Sequence, residues 1–224
     1  MSFIRGEYSD VLASREAFFD ALGIDLSAGA MIACLHGLKI AKVGSSDRGR
    51  GMTDGKDSFE LDCLVTTDVG VALSLLTADC IPLILYSPRR RVLALVHIGW
   101  RNADKNFAKL VVEYLQEHCS VAPAELLAWI GPSIKAQSYV FDDAVQKDLP
   151  DWQPYVHRRS DGRYAIDLVG FNVAQLEECG LTRQNIDVSP IDTGSDSNFF
   201  SHYVSAHTSE PEGRLVTVAA MTDE

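Results

Sequence analysis

The feature that most constrains the fold is an uninterrupted apolar run, Val92-Leu93-Ala94-Leu95-Val96, near the middle of the chain. A strand with one solvent-facing side alternates apolar and polar residues. This run does not alternate, so we predict a central strand that is covered on both faces. Strand-like runs surround it at residues 30–35, 64–67, 71–77, 81–86, 126–130 and 215–220, and helix-like runs are predicted at residues 103–119 and 168–179. Strands and helices mixed in this way predict an α/β protein, and we expect residues 1–224 to form a single domain.

Two further helices are predicted from local signals. Ser14 is a candidate N-cap for an apolar stripe through Phe18 and Leu22, and Gly23 is a candidate stop. A second helix is predicted at residues 142–149.

The charge balance and the cysteines narrow the possible partners and the compartment. The chain has 20 Lys+Arg against 31 Asp+Glu, a formal net charge of −11, which disfavours binding to nucleic acid or to anionic membranes. The first residues show no cationic region followed by an apolar stretch, so we expect no signal peptide. Five cysteines, an odd number without CxxC pairs, indicate free thiols. We therefore expect a cytoplasmic protein.

Three chemically reactive side chains stand where predicted strands begin or end. Cys80 comes directly before one strand, His97 ends the central strand, and His36 follows an earlier strand that begins at Ala30. Functional groups converge at strand ends in layered α/β folds. His36, Cys80 and His97 are therefore the candidate site.

These residue types allow two kinds of chemistry. A thiolate and two imidazoles can hold one zinc ion and leave the fourth tetrahedral position for water or substrate, and copper accepts the same ligands. Alternatively, Cys80 is a nucleophile that His97 activates. The remaining cysteines are expected to pack in the core: Cys34, Cys63, Cys119 and Cys179. The remaining histidines are expected to be structural or surface groups: His118, His157, His202 and His207.

Two segments carry a resemblance to a known family. Thr77-Ala78-Asp79-Cys80-Ile81-Pro82, followed by His97-Ile98-Gly99-Trp100-Arg101, resembles the signature of the laccase-domain (YfiH-like) family. Members of this family are also called polyphenol oxidases or purine nucleoside phosphorylases. Leu35-His36-Gly37 and Asp62-Cys63-Leu64-Val65-Thr66 resemble two further elements of the family.

The resemblance implies a fold, a site and a set of reactions. The fold is a single-domain α/β/α sandwich around a mixed β-sheet, and the zinc-binding and catalytic triad is His36, Cys80 and His97. The implied reactions are phosphorolysis of purine nucleosides (adenosine, inosine, guanosine and methylthioadenosine) and deamination of adenosine. The small-molecule partners are then a purine nucleoside and phosphate. Arg101, the last residue of the second motif, is the candidate contact for the phosphate anion, and a structural salt bridge is the alternative role.

Three other functions stay open. A copper polyphenol oxidase is disfavoured because multinuclear copper needs many histidines and the chain has 6. A metal-free cysteine hydrolase would use Cys80 and His97. A non-catalytic metal-binding protein is the third, because the chain departs from the family pattern at Asn102, at Asp192-Thr193 and at His202-Tyr203-Val204.

Overall fold

The computed structural model describes Ser2 and residues 6–223 and contains two packed mixed sheets between helical layers. The helices are α1 (Tyr8–Ala21), α2 (Trp100–Ala103), α3 (Phe107–Cys119), α4 (Leu168–Glu178) and α5 (His202–His207). The strands are β1 (Gly29–Met31), β2 (Ile40–Val43), β3 (Cys63–Thr66), β4 (Ala72–Thr77), β5 (Ile81–Ser87), β6 (Val92–Ile98), β7 (Leu127–Ile130), β8 (Val140–Phe141), β9 (Val156–Arg158), β10 (Tyr164–Ile166), β11 (Ile186–Val188) and β12 (Leu215–Ala220). The predicted mixed α/β class is confirmed.

The larger sheet has six strands in the order β11-β7-β5-β6-β3-β2. Its central strand β6 runs antiparallel to both neighbours, β5 and β3, whereas the outer pairs β11–β7 and β3–β2 are parallel. A second sheet, β1-β4-β12, packs on one face of it, and a small third sheet has the order β8-β10-β9. The sequence predicted one mixed sheet between helical layers. The structure has a second mixed sheet, β1-β4-β12, between those layers.

The apolar run in β6 is covered on both faces, as predicted. Val92, Ala94 and Val96 belong to the core cluster beneath α3 and α4. Leu93 and Leu95 belong to the cluster between the two sheets. Alternate residues of one strand therefore serve two separate apolar layers, which explains why no polar position interrupts the run.

Helix α1 covers the outer face of the smaller sheet. Phe19, almost fully buried, packs with Met31, Met52 and Ala72 in a third core cluster. The order of layers is therefore α3 and α4, the six-stranded sheet, the three-stranded sheet, and α1. No helix among the described residues combines the length and apolar character that a membrane span requires.

Three strand ends next to candidate site residues lie together at one edge of the larger sheet. The start of β5, the end of β6 and the start of β3 lie side by side, because β6 is antiparallel to both other strands. The loop between β1 and β2 returns to the same place, where its main chain bonds to the residue preceding β3. This edge therefore brings together segments that are far apart in sequence.

Candidate metal centre

Three side chains from separate segments converge at this edge. The donor atoms of His36, Cys80 and His97 all lie within 4.8 Å of one another. The two imidazole rings meet edge to face, with centroids 4.7 Å apart and planes at 70°. His97 is 3% exposed, whereas His36 and Cys80 are half-buried, so the cluster is open to solvent on one side. The structure thus brings together the three side chains that the sequence singled out.

The strand register brings Cys80 to the end of β6. Ile81 of β5 lies opposite Ile98 of β6, so Cys80 lies beside Gly99, the residue that follows β6. A Cβ atom at Gly99 would lie 2.6 Å from Nδ1 of His36 and 3.1 Å from Sγ of Cys80. Only glycine therefore leaves room for these two donor side chains to approach each other.

His36 lies in the loop between β1 and β2 and has a left-handed backbone, with φ of 56°. This conformation is uncommon for a residue that carries a Cβ atom. The main-chain N–H groups of Leu35, His36 and Gly37 donate to the Asp62 carboxylate at 3.2, 2.9 and 2.7 Å. Asp62 is fully buried, and it thereby orders the loop that carries His36.

His97 bonds to the same carboxylate. Its Nδ1 lies 2.7 Å from Oδ1 of Asp62, and its main-chain N–H donates to the Asp62 carbonyl at 2.8 Å. Burial lowers the pKa of His97, but the sulfurs of Cys34 and Cys80 and the Asp62 carboxylate together raise that pKa well above its ordinary value. Burial raises the pKa of Asp62, but hydrogen bonds from His97 and the loop lower it below its ordinary value. The two groups therefore form a buried ion pair when no metal is bound.

His36 has the opposite electrostatic character. Burial and the positive charge of His97 lower the pKa of His36, which favours the neutral imidazole. Its Nδ1 is buried and has no hydrogen-bond partner among the residues that the structure describes. A buried polar nitrogen without a partner is unfavourable, and coordination to a metal would satisfy it.

The donor set therefore fits a metal ion. His36 is a neutral imidazole, His97 has its Nδ1 occupied by a carboxylate and its Nε2 available, and Cys80 supplies a thiol. Two nitrogens and one sulfur with an open side match the ligands of catalytic zinc sites. A carboxylate bonded to the second nitrogen of a ligating histidine is also typical of such sites.

Asn102 links the segments that carry the site. It is fully buried, and its side-chain oxygen accepts the N–H of Gly99 at 2.8 Å. Its amide donates to the carbonyls of His97 at 2.9 Å and of Gly37 at 3.4 Å. Asn102 stands where the family resemblance has a glycine, which has no side chain for these bonds. This departure from the family pattern therefore ties the loops around the site together.

Asp79 supports Cys80 from the other side. Asp79 is buried and left-handed, with φ of 82°. Its carboxylate accepts the hydroxyl of Thr193 at 2.7 Å and the main-chain N–H of Tyr203 at 2.6 Å. Thr193 and Tyr203 belong to the other two segments that depart from the family pattern. Both segments therefore lie directly against the loop that carries Cys80.

Two further side chains lie at this site, Asp62 and Cys34, and neither was predicted to belong to it. Asp62 received no role. Cys34 was predicted to pack in the core, and it does pack against the cluster between the two sheets, but its closeness to His97 was not predicted. Cys34 is half-buried, and its sulfur lies within 4.8 Å of donor atoms of Asp62 and His97. This second group shares His97 with the first, so the two groups are not independent metal sites. The sequence signal for Asp62 was its position directly before β3, a neighbour of β6.

Arg101 lies in α2, just past the end of β6, and is exposed. Its guanidinium carbon lies 5.1 Å from the centre of the Trp100 ring. Burial lowers the pKa of His36, and the charge of Arg101 adds to that effect. Arg101 is thus a positively charged side chain of α2 that lies close enough to the cluster to affect the pKa of His36.

Three aromatic residues form a wall next to Cys80. The rings of Tyr139, Phe141 and Tyr203 meet edge to face, with centroids 4.8 to 5.7 Å apart. Burial raises the pKa of Tyr139, and the nearby Cys80 sulfur adds to that rise. The aromatic wall therefore approaches Cys80 through Tyr139.

We expect Gly99→Ala to weaken metal binding. Alanine fits the backbone, since φ is −100° and ψ is 175° at this position, but its methyl group overlaps His36 and approaches Cys80. Overpacking of this kind costs about 1–3 kcal/mol of stability, or the His36 ring moves away and stops ligating. Zinc affinity measured by chelator competition, alongside thermal denaturation, checks this. Wild-type affinity in the variant would show that the cluster does not need this close approach.

A mixed α/β fold that presents two histidines and a cysteine at one sheet edge defines a protein with a candidate N₂S metal centre. The sequence profile of the family described as multi-copper polyphenol oxidoreductase laccase matches residues 4–222, and the chain belongs to that family. The resemblance noted in the sequence is therefore confirmed.

Relatives with solved structures and assigned names agree with this assignment. The chain is 34% identical over 201 residues to purine nucleoside phosphorylase YlmD of Geobacillus stearothermophilus, covering 87% of this chain and 73% of that protein. It is 30% identical over 200 residues to its Bacillus subtilis namesake, with 87% and 72% coverage. The crystal structure of the Geobacillus protein superposes with a TM-score of 0.90, at 32% identity, over 98% of this chain and 83% of that one. The hypothetical protein YfiH of Bacillus licheniformis also gives 0.90, at 26% identity, over 99% and 85%.

Proposed function

We propose that this protein is a purine nucleoside phosphorylase. Phosphate displaces the purine from C1 of the ribose, and the products are the free base and ribose 1-phosphate, or methylthioribose 1-phosphate when the substrate is methylthioadenosine. The proposed substrates are adenosine, inosine, guanosine and methylthioadenosine, with deamination of adenosine as a second activity of the same site. The observation that carries the proposal is the convergence of the donor atoms of His36, Cys80 and His97 within 4.8 Å. Two relatives named purine nucleoside phosphorylase support the substrate class.

The proposal takes residues 1–224 as one catalytic domain that acts in the cytoplasm. All five cysteines are free, which is consistent with a reducing compartment. Zinc is the proposed metal, with copper as the alternative, and His36, Cys80 and His97 are the proposed ligands and catalytic residues. When bound, zinc supplies a Lewis acid with one open coordination position.

The other residues of the site have separate proposed tasks. Arg101 contacts phosphate, because a guanidinium can meet two phosphate oxygens through parallel N–H bonds. The aromatic wall offers a face on which a purine can stack. Displacement at C1 passes through an oxocarbenium-like transition state, so its rate depends on holding phosphate and ribose in line.

The main rival is a cysteine hydrolase that uses Cys80 as nucleophile and His97 as base. Its support is the same closeness of the two side chains. Copper-dependent oxidation of phenols is the second rival, and its support is the name of the family.

Product analysis with adenosine and inosine, with and without phosphate, separates these functions. We expect free base and ribose 1-phosphate to appear only when phosphate is present, and zinc to co-purify. Turnover of inosine without phosphate that thiol alkylation blocks would favour the hydrolase, whereas inosine formed from adenosine without phosphate is the proposed deamination. Inertness towards every nucleoside with zinc still bound would favour a non-catalytic metal-binding protein.

We expect Arg101→Ala to raise the KM for phosphate about tenfold, because an exposed charge-assisted contact falls at the low end of about 1.5–3 kcal/mol. The KM for inosine should change little. Arg89→Ala is the matched control, since Arg89 pairs with Glu125 beyond the opposite end of β5. An unchanged phosphate KM in Arg101→Ala would remove Arg101 from the phosphate site.

A further inference from the structure

We propose that Asp62 is the positioning residue of this centre, because it fixes the loop carrying His36 and the nitrogen on which His97 keeps its proton. The inference rests on the proposed metal centre but not on the identity of the substrate. Asp62 touches no reacting atom and acts only through the two histidines.

The first half of the proposal concerns the loop. Oδ1 of Asp62 accepts the N–H groups of Leu35 and His36, and Oδ2 accepts the N–H of Gly37 at 2.7 Å. Three consecutive N–H groups on one carboxylate favour a tight turn. His36, at the middle of this turn, has the left-handed φ of 56°, which a residue with a Cβ atom adopts only when its surroundings require it. The carboxylate therefore decides where the His36 imidazole lies.

The second half concerns the proton on His97. An ionised carboxylate can only accept hydrogen bonds, so Nδ1 of His97, 2.7 Å from Oδ1 of Asp62, must carry a hydrogen. Nε2 is then the nitrogen left to face His36 and Cys80. The hydrogen bond to Asp62 also raises the basicity of the imidazole and limits its rotation.

Asp62 is better understood as a support than as a ligand, although its carboxylate lies within 4.8 Å of Cys34 and His97. Both of its oxygens already accept N–H groups from the main chain or from His97. It is fully buried, so its charge depends on those bonds.

Asp62→Asn tests the proposal with almost no change in volume. An asparagine has one acceptor oxygen and one amide group, so its amide must face either the N–H of Gly37 or Nδ1 of His97. In the first case two donors oppose each other and the His36 loop is disturbed. In the second case Nδ1 must accept, which moves the His97 proton to Nε2 and removes that nitrogen from the metal site.

Asp68→Asn is the matched control. Asp68 follows β3 at the end opposite Asp62 and likewise accepts hydrogen bonds from a loop, from the N–H and hydroxyl of Ser45 at 2.9 and 3.0 Å. We expect zinc affinity, measured by competition with a chromophoric chelator, to fall about 10- to 100-fold in Asp62→Asn. We expect it to stay within about twofold of wild type in Asp68→Asn, since that change touches no residue of the centre. The absorption bands of cobalt-substituted protein should shift in the first variant only.

A measurement on the wild type keeps the test valid if Asp62→Asn does not fold. Two-bond ¹H–¹⁵N correlation spectra report which nitrogen of His97 carries hydrogen, and we expect Nδ1 to be protonated both with and without zinc. A His97 whose Nδ1 has no hydrogen would overturn the proposal. Wild-type zinc affinity in a folded Asp62→Asn would do the same. Failure to find phosphorolysis would overturn the proposed function and leave these readings unchanged.

Discussion

Cys80→Ala is expected to lower kcat/KM for inosine phosphorolysis about a thousandfold or more, which corresponds to about 4 kcal/mol of transition-state stabilisation. Cys80 supplies the sulfur of the N₂S cluster, and alanine has no donor atom at that position. The same variant is expected to fold normally. Cys80 is half-buried and lies between Asp79 and the start of β5, whose hydrogen bonds are unaffected. We therefore expect a change in stability within about 1 kcal/mol.

Cys119→Ala is the matched control for this prediction. Cys119 is also free and half-buried, but it lies at the end of α3 and packs against the core beneath the larger sheet. Its loss should leave kcat/KM close to that of the wild type. Normal turnover by a folded Cys80→Ala protein would place the chemistry elsewhere, whichever of the proposed reactions is measured.

Two of the three predicted site residues, Cys80 and His97, lie on or beside neighbouring strands. Cys80 directly precedes β5, and His97 is the second-last residue of β6. The two strands are consecutive apolar runs joined by a short turn, so the closeness of the two side chains follows from an ordinary antiparallel pair. His36 was harder to place, because it lies in a loop whose path depends on tertiary contacts. Asp62 could not be found from spacing, since its partners lie 25 to 27 residues before it and 35 residues after it.

Helix ends were predicted less well than helices. Ser14 was predicted to begin the first helix, yet α1 begins at Tyr8 and Ser14 lies inside it. Its hydroxyl donates to the carbonyl of Asp10, four residues earlier, at 2.7 Å. This bond satisfies the hydroxyl inside the helix, so serine does not need to cap the helix. The helix predicted from residue 103 to 119 begins instead at Phe107, because Asn106 is left-handed, with φ of 56°, and separates α2 from α3.

The helix predicted at residues 142–149 was wrong. Only one 3₁₀ turn, Val145–Asp148, occurs there. Pro150 follows directly and disfavours a helical conformation at the residue before it. Within the segment, Ala144 and Leu149 pack in or against the core, whereas Val145 is 64% exposed. Two small contacts of this kind offer little tertiary packing to stabilise a short helix.

His97→Ala is expected to lose zinc, activity and stability together. The substitution removes a ligand, and it also leaves the fully buried Asp62 carboxylate without its charged partner. Breaking a buried ion pair by removing one member costs about 3–5 kcal/mol, although the loop N–H groups still bond to Asp62 and favour the lower part of that range. Zinc content, phosphorolysis and urea denaturation measure the three losses separately.

His97→Asn separates the metal from the ion pair. The asparagine amide nitrogen can take a position close to that of Nδ1 and donate to Asp62, but nothing in the side chain reaches the position of Nε2. We expect this variant to lose zinc as His97→Ala does and to keep more of its stability. Full zinc occupancy in either variant would show that His97 is not a ligand.

The stability difference between metal-free wild type and His97→Ala should depend on pH in a defined direction. The pKa of His97 is raised by folding, so its contribution is fully present below its ordinary value of 6.5 and is lost as the pH rises through the folded value. The pKa of Asp62 is lowered by folding, so its contribution is present above its ordinary value of 3.8 and is lost as the pH falls through the folded value. The difference in unfolding free energy should therefore be greatest between these two ordinary values and shrink on both sides. A difference that keeps growing above neutral pH would contradict the buried ion pair.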